Sequence, residues 1–367
     1  MRDAVLTAAL VLAALPWVAG AQALPTPSPA QPVATARPAE PARALPRVRL
    51  VATGGTISNR RGGRLTAEEL VASVPALAEH ASLQAEQFAN TGSSQLTLEQ
   101  WLAISRRLNA LFRDEPDLAG IVVTSGTDTL EELAYFLHLT VRDRRPVVVT
   151  GSMRNPSQVG YEGQANLLAA VRVAADPAAA GRGVLVVLND EINGARDVTK
   201  TDALRLHTFA SRGFGSLGVV DGDRVVFRRS AEGRHTAASE FDVMTLATLP
   251  RVDVFLVYQG APGDLIRAAV DLGARGLVLA TAGAGAISGT QNEGITYARD
   301  KGVPIVATTR TGSGRIAVTR EPVTATVAAP PRLAGGDLSP VKARILLMLA
   351  LTRTSDPADL QRIFNEY

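Results

Sequence analysis

The chain has 367 residues, with 38 basic and 35 acidic side chains and a formal net charge of +3 at pH 7. This weak charge, without a basic stripe interleaved with aromatic residues, argues against a nucleic-acid-binding protein. The sequence has no cysteine and therefore no disulfides, and its histidines at 80, 138, 207 and 235 lack the spacing of metal ligands or of a histidine-based triad.

A leader segment is predicted at the start of the chain. Residues 4–21 are apolar and rich in Ala and Leu, follow Arg2, and end among small residues near Ala23. This pattern predicts a secretory signal peptide over residues 1–23, because the stretch is too short for a good membrane span. Residues 24–46 are rich in Pro and Ala and predict a linker. We therefore expect a periplasmic or secreted protein that leaves the membrane after signal cleavage; an uncleaved anchor is the alternative.

The first strand of the folded part is predicted over residues 47–52, and Thr-Gly-Gly-Thr follows it at 53–56. Two adjacent glycines let the backbone turn tightly and approach a bound molecule closely; a plain strand-to-loop turn is the other interpretation. Residues 59–65 are rich in Gly and Arg and predict a mobile loop. Helices are predicted over 66–72 and over 98–112, the second capped by Thr97.

The most informative segment is the apolar strand at 119–123 with the residues that follow it. Thr-Ser-Gly-Thr-Asp-Thr occupies 124–129, and apolar residues recur at 130, 133, 134, 137 and 141 with helical spacing. Asp128 is predicted as the N-cap, with Glu131 completing a capping box. Hydroxyls and a carboxylate thus gather at the carboxyl end of a strand, where α/β proteins bind ligands. A well-capped helix without chemistry is the alternative.

The remaining elements extend the alternation of strands and helices. Strands are predicted near 145–153 and 183–188 with a helix near 166–174 between them, and short β segments fill 209–242. A second unit has strands near 252–258, 276–281 and 303–308. Residues 281–285 resemble a fragment of a phosphate-binding loop, but no clear acidic partner follows them. This alternation predicts the α/β fold class.

Lysine use points to one position. Lysine occurs only at 200, 301 and 342 among the 38 basic residues, and lysine, unlike arginine, can be neutral at working pH. Thr56, Thr127, Asp128 and Lys200 all follow predicted strands. A hydroxyl nucleophile needs a base, and a neutral lysine can serve as one, while N–H groups around Gly55 and Thr127 can stabilise an oxyanion. These groups suffice for acyl transfer at an amide.

Three segments, 53–57, 125–132 and 194–201, resemble the signature segments of bacterial L-asparaginases, most closely the exported, periplasmic type. The similarity runs from about residue 47 to residue 367. It implies a two-domain α/β fold with a larger domain over 47–240, built on a mostly parallel sheet flanked by helices, and a smaller α/β domain over 241–367. It also implies a homotetramer built as a dimer of dimers, and no cofactor or metal.

The same resemblance implies hydrolysis of L-asparagine to L-aspartate and ammonia. Thr56 corresponds to the nucleophile that forms a β-aspartyl intermediate. Thr127 and Lys200 correspond to the proton-transfer pair, and Asp128 to the group that holds the substrate amino group.

Further substrate contacts are implied in the same way. Ser93 matches the residue that binds the α-carboxylate, and Ser94 stands where many relatives carry a Gln that contacts the amino group. The carbonyl of Ser152 would receive the leaving amide nitrogen. Glu321 is the expected acidic residue that a neighbouring subunit contributes.

Two departures from the family pattern leave alternatives open. The loop at 57–70 contains no tyrosine, although relatives usually place one there against the nucleophile, and residues 160–166 replace a commoner run beneath the site. Glutamine or another ω-amide is a second substrate class, because one methylene changes binding by only about 1–3 kcal/mol. A non-catalytic periplasmic amino-acid-binding protein is the third interpretation.

Overall fold

An eight-stranded sheet and a four-stranded sheet, each flanked by helices, organise the chain. The computed structural model describes residues 44–318 and 332–367. The predicted signal peptide at 1–23, the linker up to residue 43 and Glu321 lie outside these residues. Within the described ranges, no helix has the length and apolar character needed to cross a bilayer.

The strands are β1 (Arg47–Gly54), β2 (Asn59–Arg60), β3 (Gly63–Arg64), β4 (Ser82–Thr91), β5 (Leu118–Thr124), β6 (Val147–Thr150), β7 (Val184–Leu188), β8 (Glu191–Gly194), β9 (Thr199–Lys200), β10 (Phe209–Ala210), β11 (Gly218–Val220), β12 (Val225–Phe227), β13 (Val252–Leu256), β14 (Gly276–Thr281), β15 (Ile305–Thr309) and β16 (Leu333–Ala334). The helices are α1 (Ala67–Ala72), α2 (Leu98–Asp114), α3 (Leu130–Thr140), α4 (Gly163–Ala175), α5 (Asp264–Asp271), α6 (Gln291–Asp300), α7 (Pro340–Ala350) and α8 (Pro357–Glu366).

The larger sheet has the strand order β12-β11-β8-β7-β6-β5-β1-β4. The five neighbouring strands β4, β1, β5, β6 and β7 are parallel. Strands β6 and β7 are buried along their whole length, as continuous apolar sequences in a parallel sheet predict. The three strands from β8 to β12 run antiparallel to their neighbours. The hairpin between β7 and β8 turns through Asn189 and Asp190, which both have positive φ, as a two-residue type I′ turn requires.

The smaller sheet has the parallel order β13-β14-β15-β16. Helix α7 packs against this sheet on one side and against α3 of the larger unit on the other. Residues 345–350 of α7 are all buried, and they belong to a hydrophobic cluster that also contains β5 and β6 side chains. The prediction of a two-domain α/β fold with a larger, mostly parallel sheet is confirmed.

Local sequence signals located most elements but failed at the start of α3. Thr97 caps α2 as predicted: its hydroxyl accepts from the Gln100 N–H, and the Gln100 side chain accepts from the Thr97 N–H. The prediction that Asp128 caps α3 is wrong, because Thr129 is the N-cap residue and no side chain caps this helix. The predicted loop at 59–65 is partly the short hairpin β2–β3.

Candidate active site

The predicted site residues follow four neighbouring parallel strands of the larger sheet. Ser93 follows β4, Thr56 follows β1, Thr127 follows β5, and Ser152 follows β6. Parallel strands end at the same edge of a sheet, and α/β proteins bind ligands at this edge. The topology therefore places the four loops side by side.

Glycines let these loops touch. Gly55 has φ 87°, and a Cβ atom built there would lie 2.2 Å from the Gly126 nitrogen. A Cβ atom on Gly126 would lie 3.0 Å from both the nitrogen and the hydroxyl oxygen of Ser93. No larger side chain fits at Gly55, because a Cβ atom would collide with Gly126 and because the positive φ disfavours other residues. The Thr56, Ser93 and Thr127 loops are thereby in backbone contact.

Thr56 is half-buried and begins a 3₁₀ turn, Thr56–Ser58. The preceding residue, Gly55, donates its N–H to the Thr91 carbonyl at 2.8 Å. Of the N–H groups around Gly55 and Thr127 that were expected to stabilise an oxyanion, the one on Gly55 itself is thus already paired within the fold. Gly55 instead contributes the close approach of the β1 loop to the β5 loop.

Lys200 joins the two central residues of the β5 loop. Its Nζ donates to Thr127 Oγ1 at 3.0 Å and to Asp128 Oδ1 at 2.7 Å. Thr127 is only 5% exposed, whereas the side chains of Lys200 and Asp128 are 14% and 75% exposed. The structure thus brings together a lysine and a threonine that are 73 positions apart in the chain.

Glu131 is a site residue that the sequence analysis did not identify. Its Oε1 accepts from the Thr199 hydroxyl at 2.9 Å and from the Lys200 N–H at 3.1 Å. Its buried Oε2 has no hydrogen-bond partner among the described residues. The capping-box interpretation hid this role, although a carboxylate on the apolar face of α3 was a signal that could have revealed it.

The other predicted substrate contacts differ in burial. Ser93 is buried, and its hydroxyl accepts from the Thr129 N–H at 3.2 Å, whereas Ser94 is exposed. Ser152 is buried and donates its hydroxyl to the Arg154 carbonyl at 2.6 Å. Glu321 lies outside the described residues.

Tyr161 is a second residue near the site whose contact the sequence did not predict. Its hydroxyl donates to the Ile57 carbonyl, the second residue of the Thr56–Ser58 turn, at 2.8 Å. The sequence signal was the tyrosine itself, which lies within the unusual run at 160–166.

Burial also shifts the pKa of a carboxyl on α3, the helix that follows the Thr127 loop. Burial raises the pKa of the Glu132 carboxyl, and the nearby Arg344 charge partly opposes that rise. In the described part of the chain, no group of three or more His, Cys, Asp or Glu side chains could hold a metal ion. The side chains that the loops bring together are hydroxyls, carboxylates and one amine, a set suited to nucleophilic attack with proton transfer.

Comparison with known proteins identifies the relatives of this chain. The family model described as Asparaginase, N-terminal, matches residues 47–233, and the Glutaminase/Asparaginase C-terminal domain model matches residues 251–364. L-asparaginase 2 of Bacillus subtilis is 42% identical over 333 residues, which cover 88% of this chain and 87% of the relative. A protein of Haemophilus influenzae named probable periplasmic L-asparaginase is 37% identical over 335 residues, covering 89% and 94% of the two chains.

A solved structure also resembles this chain over most of its length. The probable cytoplasmic L-asparaginase from Campylobacter jejuni superimposes with a TM-score of 0.82 at 36% sequence identity. The match covers 88% of this chain and 100% of that chain.

Proposed function

Because this chain belongs to the asparaginase family, we propose that it is an amidohydrolase that converts L-asparagine and water to L-aspartate and ammonia. The observation that supports the proposal most directly is the pair of hydrogen bonds from Lys200 Nζ to Thr127 Oγ1 and Asp128 Oδ1. Pure ligand binding needs neither a nucleophilic hydroxyl nor a titratable amine beside a second hydroxyl.

In the proposed reaction, Thr56 Oγ attacks the side-chain amide carbon of asparagine. The Thr56 proton passes to Thr127, whose own proton moves to the Lys200 amine along the 3.0 Å contact between them. Collapse of the tetrahedral intermediate breaks the C–N bond, and the departing nitrogen takes that proton and leaves as ammonia. Water then attacks the β-aspartyl ester, losing a proton as Thr56 regains one, and aspartate is released.

The other residues would hold the substrate. Ser93 would bind the α-carboxylate, and Asp128, whose side chain is 75% exposed, would bind the α-amino group. Ser94, with a shorter side chain than the Gln of many relatives, would contribute little to that contact. Ser152 would accept the leaving amide through its carbonyl, and Glu321 would complete the site of a neighbouring subunit.

Glutamine is the second candidate substrate. The C-terminal family model carries both the glutaminase and the asparaginase names. A pocket separates substrates that differ by one methylene by only about 1–3 kcal/mol. Hydrolysis of glutamine or another ω-amide would need the same four catalytic residues.

We also propose export and a homotetrameric assembly. Export is supported by the apolar segment at 4–21 and by the periplasmic name of the Haemophilus influenzae relative. The tetramer follows from the family resemblance, and the size of the purified protein in solution would test it.

The function is tested by ammonia release from L-asparagine, L-glutamine and D-asparagine with the purified protein. We expect release from L-asparagine, and a loss of at least about a thousandfold in Thr56→Val, since removing a nucleophile abolishes the covalent route. Thr248→Val, at an exposed threonine in a loop before β13, is the matched control and should keep full activity.

Each other outcome points to a different function. Release from glutamine alone would make the protein a glutaminase. No release, with asparagine still raising the melting temperature, would indicate an amino-acid-binding protein. Full activity in Thr56→Val would show that another residue is the nucleophile.

A further inference from the structure

The turn that carries Thr56 has one carbonyl that the local backbone does not pair. The Gly55 carbonyl accepts from the N–H and the hydroxyl of Ser58. The Thr56 carbonyl accepts from the Asn59 N–H, and the Ser58 carbonyl accepts from the Leu65 N–H. The remaining carbonyl belongs to Ile57, and its partner is the Tyr161 hydroxyl at 2.8 Å.

The Tyr161 ring is held firmly in place. A Cβ atom built on Gly163 would lie 2.3 Å from the Tyr161 ring and hydroxyl atoms, so the ring lies directly on the backbone of the first residue of α4. Tyr161 also packs against the hydrophobic cluster that contains the fully buried Ile57. Burial raises the pKa of the Tyr161 hydroxyl, which keeps it protonated and able to donate.

The segment that presents Tyr161 is braced from within. We call residues 152–163, which follow β6, the Tyr161 segment. The Glu162 carboxylate accepts from the N–H groups of Met153 and Arg154, and the Arg154 guanidinium donates to the Gly160 carbonyl at 3.0 Å. Both ends of the segment are therefore tied together. Its starting residue is Ser152, so one braced segment reaches two sides of the site.

A second hydrogen bond joins the same two pieces of chain. The Arg61 N–H, at the tip of the β2–β3 hairpin, donates to Ser157 Oγ at 2.8 Å. The loop after Thr56 is thus docked on the Tyr161 segment at two points, through Ile57 and through Arg61. The sequence lacks a tyrosine within residues 57–70, and this docking restrains the short loop from outside.

We propose that Tyr161 is a positioning residue for Thr56, which it orients through the Ile57 carbonyl. This inference rests on the proposed role of Thr56 as the nucleophile. The Gly55 contacts fix the turn on one side of Thr56, and the Tyr161 hydrogen bond fixes it on the other. The attack of the hydroxyl depends on its alignment, and a displacement of about 1 Å can cost about a hundredfold in rate.

The contacts also predict which kinetic constant depends on Tyr161. Ser93 and Asp128, the proposed substrate-binding groups, lie on the β4 and β5 loops, whereas the Tyr161 hydrogen bond reaches only the β1 loop. Loss of the hydroxyl should therefore impair the chemical step and leave substrate binding intact. Since Tyr161 donates to a carbonyl and not to Thr56 itself, it should not change which groups titrate during turnover.

The test compares Tyr161→Phe with Tyr297→Phe. Both variants remove one hydroxyl that makes one hydrogen bond, but Tyr297 lies on α6 and donates to Asp271 at 2.6 Å, away from the predicted site residues. With asparagine at 25 °C, we expect kcat of Tyr161→Phe to fall about tenfold with KM within about twofold. First-turnover ammonia release should slow by the same factor, the kcat–pH profile should keep its shape, and Tyr297→Phe should match the unmodified protein.

Three outcomes would overturn the inference. An unchanged kcat with a lower melting temperature would mean that Tyr161 only stabilises the fold. A KM that rises with kcat unchanged would mean that it shapes the substrate pocket. An altered shape of the kcat–pH profile would mean that it takes part in proton transfer.

Thr56→Val separates this inference from the proposed function. If that variant stays active, the assignment of the nucleophile is wrong, and the positioning role falls with it. If it is inactive while Tyr161→Phe has normal kcat, the proposed function stands and only the role of Tyr161 is wrong.

Discussion

At the scale of single residues, Lys200 is held from two sides. Its side chain reaches Thr127 and Asp128, and its backbone N–H donates to Glu131. The same Glu131 oxygen accepts from Thr199, so the α3 helix fixes both residues of β9. The rarity of lysine in the sequence pointed to this residue, and its neighbours define the proton route that we propose.

Replacing Lys200 by arginine should abolish most of the activity. Arginine keeps its charge at all working pH values, so it cannot accept a proton from Thr127. We expect kcat for asparagine to fall by about 10²–10⁴-fold, the usual contribution of a general acid–base group. Lys301→Arg, at an exposed lysine after α6, is the control. Near-normal turnover in Lys200→Arg would show that Lys200 does not transfer protons.

At the scale of elements, the helix starts show when a local signal is sufficient. Thr97 caps α2 as predicted, and Gln100 completes a capping box with it, because both residues are half-exposed or exposed and no distant group competes for their atoms. Asp128 and Glu131 have the same spacing, yet their carboxylates bond to Lys200 and Thr199 of β9 instead. Partners from a distant strand therefore take the two carboxylates that the local spacing had assigned to the helix start.

The capping box of α2 should contribute measurably to stability. Thr97→Ala removes the acceptor of the Gln100 N–H, and we expect the free energy of unfolding to fall by about 1 kcal/mol. Urea unfolding should show a lower midpoint with an unchanged m-value. The exposed loop variant Thr248→Ala should leave the midpoint unchanged. An unaltered midpoint in Thr97→Ala would show that the cap is replaced by water or by another side chain.

At the scale of the whole molecule, Lys342 joins helix α7 to the segment between β8 and β9. It lies on α7, beside the smaller sheet, and its buried Nζ donates to the carbonyls of Arg196 at 2.9 Å and of Val198. These carbonyls precede β9, so α7 supports the strand that carries Lys200. Burial lowers the pKa of Lys342 to about 8, although the nearby carboxylates of Glu131 and Asp197 oppose the shift.

This buried amine predicts a pH dependence of stability. Between about pH 8 and the ordinary pKa of 10.5, the unfolded chain binds a proton that the folded chain has released. The free energy of unfolding therefore rises with pH across this window. Below the window, the destabilisation that comes from burying the protonated amine is fully present. From pH 7 to 10, the free energy of unfolding of the unmodified protein should rise by roughly 2–3 kcal/mol relative to that of Lys342→Met.

The measurement is denaturant unfolding of both proteins at several pH values in that range. Lys301→Met, which removes an exposed lysine, should show no comparable shift. A pH-independent difference between the unmodified protein and Lys342→Met would mean that Lys342 has an ordinary pKa in the fold.

The sequence by itself determined the features that depend on neighbours along the chain. Apolar periodicity located the strands and helices, because burial of one face or of both faces imposes a repeat on adjacent residues. The Thr-Gly-Gly-Thr and Ser-Gly-Thr-Asp segments identified Thr56, Thr127 and Asp128, because a site at the carboxyl ends of strands needs glycines and polar groups directly after them. The retained Lys200 completed that set.

Only the tertiary structure decided which groups touch. The bonds of Lys200 to Thr127, of Tyr161 to Ile57 and of Lys342 to Arg196 join residues 73, 104 and 146 positions apart. Such partners depend on how whole elements pack, and no local pattern of residues records that packing. For the same reason the capping signal at Asp128 misled: the competing partner, Lys200, comes from a distant strand that only the fold brings within 2.7 Å.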